Sequence, residues 1–179
     1  MGSGLLALLL LALSGALACH RDGRSDGRTV GQLTAEWKDS AGRVVHWSAP
    51  AEARWCARDT VLEITALRND SGVGLAVFAR DSLRAEGYPV FQSGLFAPWR
   101  PQATAAVRWL TPNTLKGFES AAGQVVITRG GSRHASGTFD LRAKLTTGPD
   151  SLRLTGGFDE LAIEPAPPVC GRANKPGPR

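Results

Sequence analysis

The clearest alternation of apolar and polar residues lies between residues 123 and 163. In its middle part four apolar positions alternate with four polar ones: Phe139, Leu141, Ala143 and Leu145 against Thr138, Asp140, Arg142 and Lys144. A period of two predicts a β-strand with one dry and one wet face. The next apolar run keeps this phase through Phe158, but Leu161 and Ile163 are displaced by one residue. This region therefore predicts antiparallel strands with a bulge near Asp159.

The same period recurs in earlier segments, at 33–37, 43–48, 51–57 and 103–110, and residues 61–67 and 73–79 are predicted to form the two sides of a hairpin. Residues 39–42 and 68–72 are rich in turn formers and predict tight connections. Gly87–Phe91 can form only an edge strand, because Pro89 has no N–H to donate to a ladder. The pattern predicts an all-β antiparallel domain of roughly eight to ten strands, either a sandwich or a partly closed barrel.

Two further features indicate how these strands pack. The motif Gly-x-Phe-Asp occurs at 137–140 and again at 156–159, which predicts neighbouring strands with equivalent packing. Four of the five tryptophans fall on predicted strands, where core packing is the expected role: Trp37, Trp47, Trp55 and Trp109.

The N-terminus has the features of an export signal. The apolar run Leu5–Leu13 is shorter than the roughly 20 residues of a membrane span, so residues 1–18 are interpreted as a signal peptide. Ala18 followed by Cys19 resembles the lipobox of bacterial lipoproteins, which predicts a lipid on Cys19. Simple cleavage after Ala18 also satisfies the small-residue rule and stays open.

The chain after the signal peptide is predicted to have three parts. Residues 19–28 are predicted to be the lipidated cysteine and a flexible tether, because His20–Arg28 has no apolar residue to bury. Residues 29–164 form the β domain. Residues 165–179 form a Pro-rich basic tail.

The chain has three cysteines, an odd number for an exported protein. If Cys19 carries lipid, Cys56 and Cys170 remain as a disulfide pair that would fix the tail to an early strand. The alternation places Cys56 opposite Trp55, on the wet face, where a tail could reach it. The alternative is two unpaired, buried cysteines.

Charge gives little support to nucleic-acid binding. The 179 residues carry a formal net charge of +5, but the excess lies on the tether and the tail. No basic groove for phosphates is predicted, so nucleic acid is not an expected partner.

The sequence contains no recognisable catalytic pattern. His20, His46 and His134 lack metal-ligand spacing, and no P-loop or nucleophile elbow is present, so neither a metal nor a cofactor is predicted. His46 with Asp39 and a serine could be assembled into a triad, but the spacing does not require it. We expect a protein that is not an enzyme.

Three acidic residues and one loop are the remaining candidates for a functional site. Asp140, Asp159 and Glu160 are acids on predicted strands, where solvation is the usual role. The loop 93–102 carries Phe96 and Trp99 close to two prolines, and these two are candidate ligand or partner contacts. The same loop could simply cover one end of a β core.

Five segments together resemble a family of small, functionally uncharacterised bacterial lipoproteins with an all-β fold. They are Trp37, Gly87–Pro89, Gly123–Thr128, Ser136–Phe139 and Gly156–Phe158. The resemblance implies a shared fold and a location in the bacterial cell envelope, at the outer membrane or on the periplasmic side. It transfers no catalytic residue.

The expected function is a non-enzymatic binding or structural lipoprotein. The first alternative is a lipocalin-like carrier of an apolar small molecule, and a hydrolase is a distant third. The expected partners are the membrane, through the lipid anchor, and a protein or an apolar small molecule; the oligomeric state is left open.

Overall fold

The computed structural model describes residues 31–39, 41–91, 100–110 and 113–165. In these ranges the chain forms nine strands and no helix. The strands are β1 (Gln32–Lys38), β2 (Val44–Cys56), β3 (Val61–Arg68), β4 (Ser71–Phe78), β5 (Gly87–Pro89), β6 (Gln102–Leu110), β7 (Leu115–Gly130), β8 (His134–Leu145) and β9 (Ser151–Pro165).

Eight of the strands close into an antiparallel barrel in the order β7-β6-β4-β3-β2-β1-β9-β8, with β8 pairing back onto β7. The all-β prediction is confirmed, and of the two predicted architectures the barrel is the one observed. β5 is an additional edge strand that pairs with β7, in agreement with the limit that Pro89 sets. Among the described residues, no helix has the length and apolar character needed to cross a membrane.

Strand β1 is short and separates β2 from β9 over only part of their length. β1 lies between β2 and β9 and is antiparallel to both. Beyond the start of β1, β2 and β9 pair directly and in parallel, with Ala53 beside Ile163 and Trp55 beside Pro165. The last residues of β9 are therefore held next to the last residues of β2.

The two ends of the barrel differ. The connections β1–β2, β3–β4, β6–β7 and β8–β9 lie at one end, which we call the mouth end. The connections β2–β3 and β7–β8 lie at the opposite end, where β2 and β9 also finish.

The interior is filled by the inward-facing half of each strand, as expected for a barrel of eight strands. Trp37 and Trp47 are buried, and Trp55 and Trp109 pack partly buried against the same core, so the predicted core role of the strand tryptophans is confirmed. Tyr88 of β5 is fully buried. Its hydroxyl accepts from the backbone N–H of Arg84 at 3.2 Å, and desolvation raises the pKa of the phenol above its ordinary value of 10.0.

The bulge expected near Asp159 is present. The pairing of β8 with β9 shifts between Ala135–Leu161 and Gly137–Phe158, and Glu160 has a positive φ of 47°. The Ser136 hydroxyl stabilises this bulge, since it donates to Asp159 Oδ1 at 2.8 Å and accepts from the Glu160 N–H at 2.9 Å. The extra residue returns Leu161 and Ile163 to the interior, which explains the displaced alternation.

The repeated Gly-x-Phe-Asp motif is a reciprocal packing unit. Gly137 lies opposite Phe158, and Phe139 lies opposite Gly156. A Cβ on Gly137 would lie 2.7 Å from Phe158 Cζ, and one on Gly156 would lie 2.5 Å from Phe139 Cζ. Each phenyl ring therefore covers the glycine of the neighbouring strand, and the expected equivalent packing is confirmed.

Cys56 differs from its expected environment. Its place in the alternation is on the outer side of β2, yet only 2% of the residue is exposed. The outer face is the predicted one, but it is covered here and not wet, since Cys56 is the final residue of β2, beside the end of β9. Cys56 has an interaction partner. Cys170 lies outside the described residues, so their pairing stays a prediction.

Candidate functional site

A hollow of about 370 Å³ opens at the mouth end of the barrel. It combines apolar side chains from the barrel interior with charged side chains from the rim. The lining residues are Trp37, Lys38, Asp39, Val107, Trp109, Lys116, Phe118, Asp150, Ser151 and Leu152. Its volume falls within the range of about 300–1,000 Å³ that is typical of small-molecule sites.

Two tryptophans meet across the barrel at this hollow. Trp37 and Trp109 are each the last inward-facing residue of their strand, β1 and β6. These strands are four positions apart in either direction around the barrel, so they lie on opposite walls. The ring centroids are nevertheless only 4.4 Å apart, in an edge-to-face arrangement at 79°. The indole pair therefore spans the lumen.

The inner wall of the hollow is apolar. Val107 and Phe118 are buried below the tryptophans, and Leu152 is partly buried at the edge. An apolar group that enters the hollow would contact aromatic and aliphatic surface on several sides. Such a wall favours apolar or aromatic ligands because burial of their surface is the main source of affinity.

Charged groups surround the opening in fixed positions. Lys116 Nζ lies 3.5 Å from Asp150 Oδ2 and joins the start of β7 to the β8–β9 turn. The Asp39 carboxylate accepts hydrogen bonds from the Arg43 N–H at 2.9 Å, from Arg43 Nε at 2.8 Å and from the Ala41 N–H at 2.9 Å. These bonds, chiefly the one from the Arg43 N–H, hold the pKa of Asp39 below its usual value. The carboxylate of Asp39 is therefore ionised at neutral pH.

A second, shallower groove of about 440 Å³ lies on the outer face of β9, β1 and β2. It contains His46, whose Nδ1 lies 3.1 Å from Glu36 Oε2. The acid beside His46 is therefore Glu36, whereas Asp39 pairs with Arg43. The His46 side chain is 76% exposed, so solvent surrounds it.

The candidate carboxylates on the last two strands have structural partners. Asp140 binds Arg153 through two hydrogen bonds, of which the shorter is 2.7 Å, and this contact lowers the pKa of Asp140. Asp159 accepts from Ser136, and Glu160 forms an ion pair with Arg129. These acids support the sheet and its bulge.

The structure brings few of the predicted site residues together. Cys19, Phe96, Trp99 and Cys170 lie outside the described residues. Within the described ranges, no group of three His, Cys, Asp or Glu side chains is placed to hold a metal ion. The mouth was missed by sequence reasoning, although Trp37 and Trp109 share one signal: each is followed within two residues by turn-forming residues in the sequence.

Comparison with known proteins adds no relative: no family model, no curated protein and no solved structure matches the chain.

Proposed function

We propose that the protein is a non-enzymatic lipoprotein of the bacterial cell envelope, anchored through Cys19, whose barrel binds an apolar small molecule at the mouth. The hollow beside the Trp37–Trp109 pair carries this proposal. It combines an apolar inner wall with an opening to solvent and a few fixed charges, which is the usual composition of a small-ligand site. The ligand is held at the mouth, because the interior below it is filled with side chains.

A hydrolase receives less support from the geometry. A general base that activates a serine is normally oriented by a buried acid and shielded from water. His46 and Glu36 instead form an exposed pair on the outer wall, with 76% and 50% of their side chains accessible. Such a pair contributes little beyond a solvated surface contact.

The binding proposal predicts the effect of a charge placed in the mouth. Leu152→Glu should weaken binding of the neutral fluorescent probe phenylnaphthylamine about tenfold or more, because a carboxylate must be desolvated when the apolar probe enters. Fluorescence titration measures this affinity, and energy transfer from tryptophan to the probe reports proximity. The binding is measured in the absence of lipid.

A matched control introduces the same charge elsewhere. Ala57 is exposed in the β2–β3 turn at the opposite end, so Ala57→Glu should leave probe affinity unchanged. Circular dichroism of each variant verifies that the barrel is intact. Equal probe affinities of the Leu152→Glu and Ala57→Glu variants, or no probe binding by the unaltered chain, would contradict the site.

The anchoring part of the proposal has its own test. Cys19→Ala should abolish metabolic labelling with palmitate and release the protein from membranes washed in concentrated salt, because an acyl anchor resists salt whereas a charged contact is screened. Cys170→Ala provides the control and should retain the label. Membrane retention of Cys19→Ala through the salt wash would refute a lipid on that residue.

A further inference from the structure

The large apolar residues that are most exposed in the described part of the chain all lie at the mouth end. They are Val44, Leu67, Leu110 and Leu115, and between 44% and 56% of each is exposed. We call this set the apolar rim. Each of its members is the first, penultimate or last residue of its strand, on β2, β3, β6 and β7 respectively. No comparable set is exposed at the opposite end within the described ranges.

The apolar rim is distinct from the hollow. The alternation of burial turns these four side chains outward, away from the lumen, and none of them lines the mouth. Leu110 and Leu115 are direct partners in the β6–β7 ladder, so they form one outward-facing pair. These side chains face solvent and do not contribute to the core. Exposed apolar residues bordered by polar ones are a feature of interaction sites.

The same end is positively charged. The strand termini and described turns there carry five cationic residues and three carboxylates: Lys38, Arg43, Arg68, Lys116 and Lys144 against Asp39, Asp70 and Asp150. The ion pairs of Asp39 with Arg43 and of Asp150 with Lys116 remove two charges of each sign, which leaves Lys38, Arg68 and Lys144 against Asp70. The formal net charge of these termini and turns is therefore about +2, which favours an anionic surface.

We infer that the mouth end docks on an anionic lipid bilayer. The aliphatic side chains occupy separate parts of the circumference, on β2–β3 and on β6–β7, so a planar surface contacts them together more readily than a compact protein patch would. Aliphatic tips that enter the interface, tryptophans near the headgroup level and cations against anionic headgroups are the features of peripheral membrane binding.

The predicted anchor is compatible with this orientation. Eleven residues lie between Cys19 and Gly31, and at full extension the stretch from Cys19 to Gly31 reaches about 40 Å. A lipid on Cys19 therefore allows the mouth to face the same bilayer. The inference goes beyond the proposed ligand site, and each can fail without the other.

Co-sedimentation with vesicles tests the docking. The full chain carrying Cys19→Ala is mixed with vesicles of phosphatidylglycerol and phosphatidylcholine, or of phosphatidylcholine alone. We expect binding to the anionic vesicles that weakens in concentrated salt, and little binding to the neutral ones. Leu67→Glu and Leu115→Glu in this background should each lower partitioning about tenfold, through the loss of an inserted aliphatic side chain.

The controls separate docking from folding and from the ligand site. Ala57→Glu adds the same charge at the opposite end and should keep vesicle binding. Any contribution of the signal peptide, residues 1–18, is the same in all variants. Leu67→Glu should keep the affinity for phenylnaphthylamine measured without vesicles. The inference would be overturned if neither Leu67→Glu nor Leu115→Glu changed vesicle binding. It would also be overturned if the chain with Cys19→Ala alone did not bind the anionic vesicles. A dimer in ultracentrifugation that Leu67→Glu dissociates, without vesicle binding, would overturn it in favour of a second copy of the chain.

Discussion

Replacement of Gly156 by alanine is expected to lower the free energy of unfolding by about 3 kcal/mol. A Cβ at this position would overlap the carbonyl oxygen of Thr34 on β1 and lie 2.5 Å from Phe139 Cζ on β8. Neither neighbour can yield easily, because the carbonyl belongs to the ladder between β1 and β9 and the ring is buried in the core. The substitution would therefore strain the packing of β9 against both of its neighbours, β1 and β8.

Gly74→Ala is the matched control for this substitution. Gly74 also lies inside a strand, but its nearest neighbour to an added Cβ is the Ala106 carbonyl oxygen at 3.9 Å, an ordinary contact. Alanine there should be neutral or stabilise by about 0.5 kcal/mol, since glycine is unfavourable in a strand interior. Urea denaturation of the two variants measures the difference. Equal stabilities would show that the space above Gly156 can relax and that the Gly–Phe unit is not rigid.

The alternation predicted much of the fold because burial on one face is a local property of each strand. The phase slip before Leu161 identified the bulge, and the repeated Gly-x-Phe-Asp identified two neighbouring strands. The alternation could not predict that the sheet closes into a barrel. The contacts of β7 with β8 and of β1 with β9 decide between a barrel and a sandwich, and both architectures have strands with the same alternation.

The candidate site at the mouth could not be predicted from the sequence, for a related reason. Trp37 and Trp109 read as core residues, and locally they are core residues. Their contact across the mouth arises only because β1 and β6 lie on opposite walls, which is a property of the closed strand order. Likewise, Val44, Leu67, Leu110 and Leu115 are far apart in sequence, and only the topology places them at one end.

Loss of the disulfide predicted between Cys56 and Cys170 is expected to have the other large effect on stability. The parallel contact of β2 with β9 places Pro165 beside Trp55, the residue before Cys56. Five residues then lead from Pro165 to Cys170 and can extend about 17 Å, which is enough to return to the end of β2. The bond would close a loop of more than 100 residues, for which the chain-entropy model gives about 4.7 kcal/mol. Cys170→Ala should lower the free energy of unfolding by about 4 kcal/mol.

Substitution at Cys170 tests the bond more cleanly than substitution at Cys56, because Cys56 is buried and its truncation would also leave a cavity. A reductant should destabilise the unaltered chain in urea denaturation and leave the Cys170→Ala variant unchanged. In a double-mutant cycle, Cys170→Ala should add little once Cys56→Ala is present, since either substitution already removes the bond. Additive effects, or recovery of both residues as free thiols in a non-reducing peptide map, would show that the tail is held by other contacts. The parallel β2–β9 pairing would then have to hold the end of β9 without a covalent link.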